Sequence, residues 1–426
     1  MVVTRFAPSP TGFLHMGGVR TALYSFLFAR KHKGTFALRI EDTDKARNKD
    51  EWTQALVSDL DWLGLKHDVY VVQSDRLSNH QSVIKKLIDS GQAYISKEKD
   101  VKEGQRDEVI RFKNPNKKVT FTDLIRGDIT VDTTDLGDFV IARSMEEPVY
   151  HLAVVVDDFE MGITHIIRAE EHISNTPRHI LIQEAIGAPR PLYAHLPLVL
   201  ADDRSKLSKR KHGEKVSLTY YRSEGYLPEA IINFMALTGW NPGTDQEMFS
   251  LDELIETFDL AKVQKAGGIF NVKKLKWFNK QYISKMSLEE FKKIAAPFVS
   301  NVNEKLWPLL KERTTILSEL KDLSEFDFLD KKPQYSKEKL NWKEKPGNKA
   351  LLEETKTLVE SVTDFTKENV KSTLWPLAEK EGKGEVLWPL RIALSGKDKS
   401  PDPFILCELL GKEESISRIN HAISLL

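Results

Sequence analysis

The sequence predicts an α/β fold: a doubly wound parallel sheet in the first half, interrupted by an inserted α+β section and followed by an all-α region. Three observations predict it. Short apolar runs alternate with amphipathic stretches over residues 1–93, the alternation resumes after a β-rich interval, and beyond residue 213 the apolar spacing is almost wholly helical. Alternating strand and helix builds a parallel sheet with helices on its faces, because each parallel connection must cross over.

Residues 2–6, 36–40 and 69–72 are expected as short buried strands, and residues 20–30, 50–63 and 79–89 as amphipathic helices. Residues 96–107 are rich in lysine and acid without periodicity, and residues 108–112, 118–121, 129–132, 139–142 and 149–156 read as strands of an insertion. Alternation returns over 163–168 and 175–185. Residues 227–237, 251–258 and 272–279 are helix candidates, and Gly239-Trp-Asn-Pro-Gly243 is a turn cluster. Residues 330–348, rich in lysine and proline, are expected as a loop within a final helical region whose last forty residues carry Leu387, Leu390, Ala393, Leu394, Ile405 and Leu409 at helical spacing. There is no internal repeat. The boundaries read as 1–93, 94–148, 149–204, 205–285 and 286–426.

A chain of 426 residues is long enough for roughly two to four domains. Its 63 Lys and Arg balance 63 Asp and Glu, so no global basic field announces nucleic acid, and any RNA contact must be local. Residues 204–215 and 262–280 are the basic candidates, the second with Phe270, Trp277 and Phe278 interleaved; a solvated face over a core is the plainer reading. The single cysteine, Cys407, excludes a disulfide framework and any zinc site of several cysteines, and is expected to pack as a small hydrophobe. No stretch is apolar enough to span a membrane and the amino terminus has no signal pattern, so a cytoplasmic protein is expected.

Two distant segments carry the chemistry. Pro8-Ser-Pro-Thr-Gly-Phe-Leu-His15-Met-Gly17-Gly18 falls between a strand and a helix, where free backbone N–H groups and the helix dipole attract an anion. Gly17 and Gly18 permit close approach of a base or phosphate. Lys206-Leu-Ser-Lys209-Arg210 offers cations for the same ligand. Arg5, Glu41 and Arg168 are expected at the carboxyl ends of parallel strands, where open α/β sheets bind ligands. Two guanidinium groups and one carboxylate suit a ligand with two carboxylates and an ammonium, since the planar fork of arginine pairs a carboxylate bidentately. The alternative is an Arg5–Glu41 salt bridge at the sheet's edge.

The two segments together resemble the signature motifs of class I aminoacyl-tRNA synthetases. Arg5 through Leu23, Leu38-Arg-Ile-Glu-Asp-Thr-Asp44, Tyr150-His-Leu-Ala-Val-Val-Val-Asp-Asp158, Ile167-Arg-Ala-Glu-Glu-His172 with Asn175-Thr-Pro177, and Gly225-Tyr-Leu-Pro-Glu-Ala230 narrow the resemblance to glutamyl-tRNA synthetases. Pro389-Leu-Arg-Ile-Ala-Leu-Ser-Gly396 and Leu410-Gly-Lys412 extend it into an anticodon-binding domain, so it covers essentially the whole chain.

The resemblance implies a Rossmann-type catalytic domain in two halves, an acceptor-binding insertion, a stem-contact domain carrying the lysine-rich loop, and the helical anticodon-binding domain. It assigns Arg5, Ser9, Glu41, Tyr150 and Arg168 to glutamate, and His15, Gly17, Gly18, Lys206 and Lys209 to ATP, with His15, Lys206 and Lys209 catalytic. On sequence alone, Tyr150 reads as a buried ring in an apolar strand and His172 as a surface histidine at a helix start, though it could touch substrate. Asp157 and Asp158 are candidates for magnesium or acceptor-end ribose, or for a solvated turn. The implied reaction is ATP-dependent activation of L-glutamate and its transfer to tRNA(Glu), with tRNA(Gln) a further candidate, Mg²⁺ on the phosphates, no zinc, and a monomeric enzyme. Between Tyr94 and Arg111 the chain is shorter than many bacterial relatives, which leaves acceptor-end contacts open. A catalytically silent tRNA-binding relative is the rival from a different class. A shortened enzyme that glutamylates a tRNA base would lack the last domain, and a glutaminyl-tRNA synthetase would end in β-barrels.

Overall fold

The computed structural model describes residues 1–43, 47–98 and 107–426. Asp44 and most of the aperiodic 96–107 stretch lie outside these. The chain divides into two compact units, Met1–Lys285 and Met286–Leu426.

The first unit is built on strands β1 (Val3–Phe6), β2 (Thr35–Ile40), β3 (Val69–Val72), β4 (Ala93–Lys97), β5 (Glu108–Phe112), β6 (Lys118–Asp123), β7 (Gly127–Asp132), β8 (Phe139–Ser144), β9 (Glu147–Pro148), β10 (His165–Ala169) and β11 (Leu192–Leu196). Its first five helices are α1 (Met16–Lys31), α2 (Asp50–Trp62), α3 (Leu77–Asp89), α4 (Tyr150–Glu160) and α5 (Thr176–Ile186). Seven strands form the main sheet in the order β3-β2-β1-β10-β11-β6-β7, parallel throughout except for the final antiparallel hairpin β6–β7. The predicted doubly wound sheet is therefore present, and the section read as an insertion donates two strands to it. Its other strands, β4, β5, β8 and β9, make a separate antiparallel sheet.

One element differs from the sequence reading. Residues 149–156 are not a strand: Tyr150–Glu160 is helix α4, buried from Leu152 through Asp158. An apolar run buried all round shows no helical stripe, so its valines imitate a buried strand. The helix packs in one core with Ile166 of β10, Ile180 of α5 and Tyr193 of β11.

The parallel connections set the site. The chain leaves β1 for β2 on one side and β10 for β11 on the other, so the crevice at the carboxyl ends of β1 and β10 is the switch point of the sheet. Helix α1 follows β1 directly; Tyr24 on it donates to the Ala236 carbonyl at 2.9 Å, and Arg20 donates to the carbonyls of Thr238 and Pro197. The bonds to Ala236 and Thr238 tie the first helix to the segment after the lysine-rich loop, which runs through α6 (Lys209–His212), α7 (Leu218–Ser223), α8 (Pro228–Leu237), α9 (Leu251–Thr257) and α10 (Val272–Lys285), and the bond to Pro197 ties it to the chain just before that loop.

The second unit has only helical elements among its described residues: α11 (Leu288–Ala295), α12 (Trp307–Arg313), α13 (Lys349–Ser361), α14 (Lys367–Glu381), α15 (Lys383–Ser395), α16 (Pro403–Leu410) and α17 (Lys412–Leu425), with short 3-10 turns between. Cys407 is buried in α16, as expected of a small hydrophobe. Among the described residues, no helix is long and apolar enough to cross a membrane.

Candidate active site

Arg5 is next to last in β1, Glu41 follows β2, and Arg168 is next to last in β10, so the sheet delivers all three to one crevice. A cavity of about 320 Å³ there is lined by Arg5, Ser9, His15, Gly17, Gly18, Glu41, Tyr150, Arg168 and Lys206. Nine of the ten residues assigned by resemblance thus meet in one place. The tenth, Lys209, lines a neighbouring cavity of about 590 Å³ that shares Ser9, His15, Gly18 and Lys206 with the first. The two chambers meet along the His15 turn.

His15 is the N-cap of α1, and its Nδ1 accepts the Gly18 N–H at 2.9 Å. The acceptor role requires a lone pair on Nδ1, which places the ring proton on Nε2 as a neutral donor. Solvent reaches the ring, yet the protein crowded round it pushes its pKa down, with Glu171 opposing and Lys206 reinforcing. Gly17 and Gly18 lie in the first turn of the helix. A Cβ on Gly17 would stand 3.1 Å from His15 Nδ1, and one on Gly18 2.9 Å from Leu14 Cδ1. Their small size is used for packing against the cap, with no left-handed backbone. Lys206 is ion-paired with Glu171, and both line both chambers.

The charges beneath the cavity are organised in two ways. Arg5 Nε donates to Asp158 Oδ1 at 3.1 Å, Arg39 Nη1 donates to the same oxygen at 2.7 Å, and Arg39 Nη2 donates to Glu41 Oε1 at 3.0 Å. Arg5 takes Asp158 and Glu41 takes Arg39, which sets aside the direct Arg5–Glu41 bridge. Burial pushes the Glu41 carboxyl up against the pull of Arg39 and Arg5, whereas Asp158, opposed by burial but flanked by both guanidinium groups, is held below the usual carboxylate range.

Arg168 is different. It is 5% exposed, and its protein partners are neutral: Nε donates to His195 Nε2 at 3.2 Å, Nη1 to His179 Nδ1 at 3.2 Å, and Nη2 to Thr176 Oγ1 at 2.8 Å and the His172 carbonyl at 3.4 Å. Among the described residues no carboxylate pairs with it. A buried charge without a counter-ion is costly, and the open side of this guanidinium can take an anion from the cavity.

Tyr150 begins α4, and its hydroxyl lies 3.0 Å from His172 Nδ1. His172 is half-buried in the turn after β10 and lines the cavity, which corrects its reading as a surface residue. Burial, with Arg168 and Arg5 adding to it, pushes its pKa down to about 4. Asp157 and Asp158 are buried inside α4, which corrects the solvated turn. The Asp157 oxygens take Arg76 at 2.7 Å, His80 at 2.9 Å and Gln73 at 2.8 Å. With those bonds and the arginines on Asp158, neither carboxylate fits a magnesium ion or a ribose. Sequence reasoning missed Arg39, although its i, i+2 relation to Glu41 along an apolar strand already placed two opposite charges on one face.

The sequence and the fold match known proteins. The family model for class I tRNA synthetases (E and Q), catalytic domain, matches residues 1–100 and 95–277, and an anticodon binding domain model matches residues 270–423. A glutamate–tRNA ligase of Flavobacterium johnsoniae is 38% identical, with 100% of this chain and 99% of the relative covered. The chain belongs to the glutamyl-tRNA synthetase family. Another member, the glutamate–tRNA ligase of Aquifex aeolicus, is 40% identical over 98% of each chain. The family fold is shared at the level of structure too: the crystal structure of a glutamate tRNA ligase from Elizabethkingia meningosepticum in complex with its amino acid has a TM-score of 0.86 and 37% identity, covering 100% of this chain and 99% of that one. The family's catalytic-domain match falls in two pieces that meet at residues 95–100, within the stretch where the sequence departs from its pattern.

Proposed function

We propose that this chain is a glutamate–tRNA ligase that activates L-glutamate with ATP and transfers it to the terminal adenosine of tRNA(Glu). The observation that carries the reading is Arg168, a buried guanidinium with neutral partners facing a cavity that also holds Arg5, Glu41 and the His15 turn. One substrate carboxylate pairs with Arg168, which among the described residues has no protein carboxylate to compete, the other meets Arg5 as a second anion beside Asp158, and Glu41 with the Tyr150 hydroxyl receives the ammonium. Ser9 borders both ligands.

In the first step an oxygen of the substrate carboxylate attacks the α-phosphorus of ATP, the bond to pyrophosphate breaks, and glutamyl-adenylate forms. A ribose hydroxyl of the tRNA then attacks the activated carbonyl, loses its proton and expels AMP. Neither step needs a protein nucleophile, so the side chains align the reactants and stabilise charge on phosphate oxygens. His15 supplies a neutral Nε2–H donor, Gly17 and Gly18 leave room at the helix start, and Lys206 and Lys209 supply cations from the loop. For Lys206 this means leaving Glu171. Among the described residues no group of three or more His, Cys, Asp or Glu is placed to hold a metal. Magnesium enters with ATP as part of the substrate, and zinc has no part in the reading.

Within this reading residues 1–93 and 149–204 form the catalytic domain, 94–148 meet the acceptor end, 205–285 the stem, and 286–426 the anticodon. The enzyme works as a cytoplasmic monomer. ATP-dependent transfer of labelled glutamate onto purified tRNA(Glu) and tRNA(Gln) is the test. Charging of tRNA(Glu) is the expected result, and charging of tRNA(Gln) as well identifies a non-discriminating enzyme. A folded protein that charges neither would be a silent tRNA-binding relative.

A further inference from the structure

We infer that Asp123 and His195 form a relay that positions Arg168 for the substrate carboxylate without cancelling its charge. The inference rests on the glutamate reading and adds two residues outside the cavity. Asp123 ends β6, His195 lies on β11 and Arg168 on β10, three adjacent strands of the parallel sheet. In the β10–β11 register Arg168 stands directly beside His195, so the contact is built into strand pairing.

The bonds run in one direction. Asp123 Oδ2 accepts both the His195 backbone N–H at 3.0 Å and its Nδ1 at 2.7 Å, while Oδ1 accepts the backbone N–H groups of Ile125 at 3.0 Å and Arg126 at 2.9 Å. Asp123 is thus locked by four N–H donors, and His195 must carry its proton on Nδ1. That leaves the Nε2 lone pair facing Arg168 Nε at 3.2 Å, with the Thr176 hydroxyl, itself an acceptor for Arg168 Nη2, 3.1 Å from the same nitrogen. Arginine has no acceptor of its own, so only this tautomer of His195 can hold it. On the other edge His179 repeats the device: Nδ1 receives Arg168 Nη1, and Nε2 lies 3.2 Å from His151 Nδ1.

A carboxylate in direct contact would orient Arg168 equally well, but a substrate carboxylate would then compete with it. The imidazole puts a neutral spacer between Asp123 and the guanidinium. Orientation is kept and the positive charge stays available. Arg5 in the same cavity wall and Arg39 beneath it, each touching a carboxylate, show the contrasting arrangement. His195 is buried and does not line the cavity, so it acts through Arg168.

Steady-state charging of tRNA(Glu) by three full-length proteins tests the relay. His195→Phe keeps a ring against Tyr193, whose ring is stacked at 6.1 Å, but removes both nitrogens; His195→Gln restores an amide donor and acceptor. A bond to a charged group sets the scale, and His195→Phe is expected to raise the glutamate KM about tenfold to a hundredfold with the ATP KM changed less than about twofold. His195→Gln is expected to recover part of that loss. An unchanged glutamate KM in folded His195→Phe overturns the inference, as does a His195→Gln enzyme no better than His195→Phe. If His195→Phe does not fold, ¹⁵N-histidine NMR of the unmodified protein decides: a neutral Nδ1–H tautomer at His195 supports the relay, and an Nε2–H tautomer or an imidazolium overturns it. Wild-type protein that charges no tRNA with glutamate defeats the function reading itself, a result separate from any effect of the variants.

Discussion

At the scale of single residues, the two lysines of the loop are not equivalent. Lys206 is tied to Glu171 at the junction of the two chambers, whereas Lys209 lines the second chamber and is exposed. Lys209→Ala is expected to slow adenylate formation by about a hundredfold to a thousandfold, the loss usual for a donor aimed at developing charge, while tRNA affinity changes less than about threefold. Pyrophosphate exchange in the presence of tRNA, set beside filter binding, measures both. Equal losses in the two assays would assign the lysine to RNA contact instead. Motif residues such as His15, Lys206 and Lys209 were legible because their chemistry is local. The partners of Arg5, Glu41 and Arg168 were not, since Asp158, Arg39 and His195 meet them through strand pairing and helix packing.

At the scale of elements, burial decides what periodicity leaves ambiguous. Helix α4 has nothing but its surroundings to mark it as a helix, and its burial on every side both hides it and carries Asp158 to Arg5. Helix α10 shows the reverse case. Of the three aromatics read as interleaved with the basic residues of 262–280, Phe270 just before the helix and Phe278 within it are in the core and only Trp277 is exposed. Close packing makes a sharper prediction in the second unit. Gly384 lies in the first turn of α15, where a Cβ would stand 2.1 Å from Trp342 Nε1. Helix propensity alone favours Gly384→Ala by about 1 kcal/mol. Overpacking against the indole is expected to outweigh this by costing roughly 1–3 kcal/mol. Thermal denaturation of the full chain should show a lower midpoint for the unfolding of that unit; a higher one would mean the indole yields freely.

At the scale of the whole molecule, the histidines round the cavity set a pH dependence. Burial pushes His151 and His172 down to about 4 and His179 well below its ordinary value, with Arg168 adding to each. His195 is lowered by burial as well, against the pull of Asp123. An imidazole held neutral in the fold takes up its proton first in the unfolded chain, near pH 6.5. Stability from these groups is present above that value and is lost as pH falls toward 4. Glu41, raised by burial, acts in the opposite sense, its share being lost as pH rises through its folded value, but it is one group against four. The melting temperature is expected to fall by at least about 5 °C between pH 7.5 and pH 5, and a flat profile would show that the histidines are not held neutral.

The alternation that makes a parallel sheet, the helical character of the last unit, and the residue types that line the candidate site can all be read along the chain. These depend on neighbours close along the chain: apolar period, turn residues and short motifs. The sequence also carried enough of the pattern to place the chain in its family. Tertiary structure alone decided which charge answers which. Arg5, Arg39 and Arg168 are all buried arginines near the ends of parallel strands, alike in the sequence. Two meet carboxylates, and one meets imidazoles whose tautomers are set by strands and helices distant along the chain. Composition and spacing do not encode that difference, because it is made by which strands lie side by side.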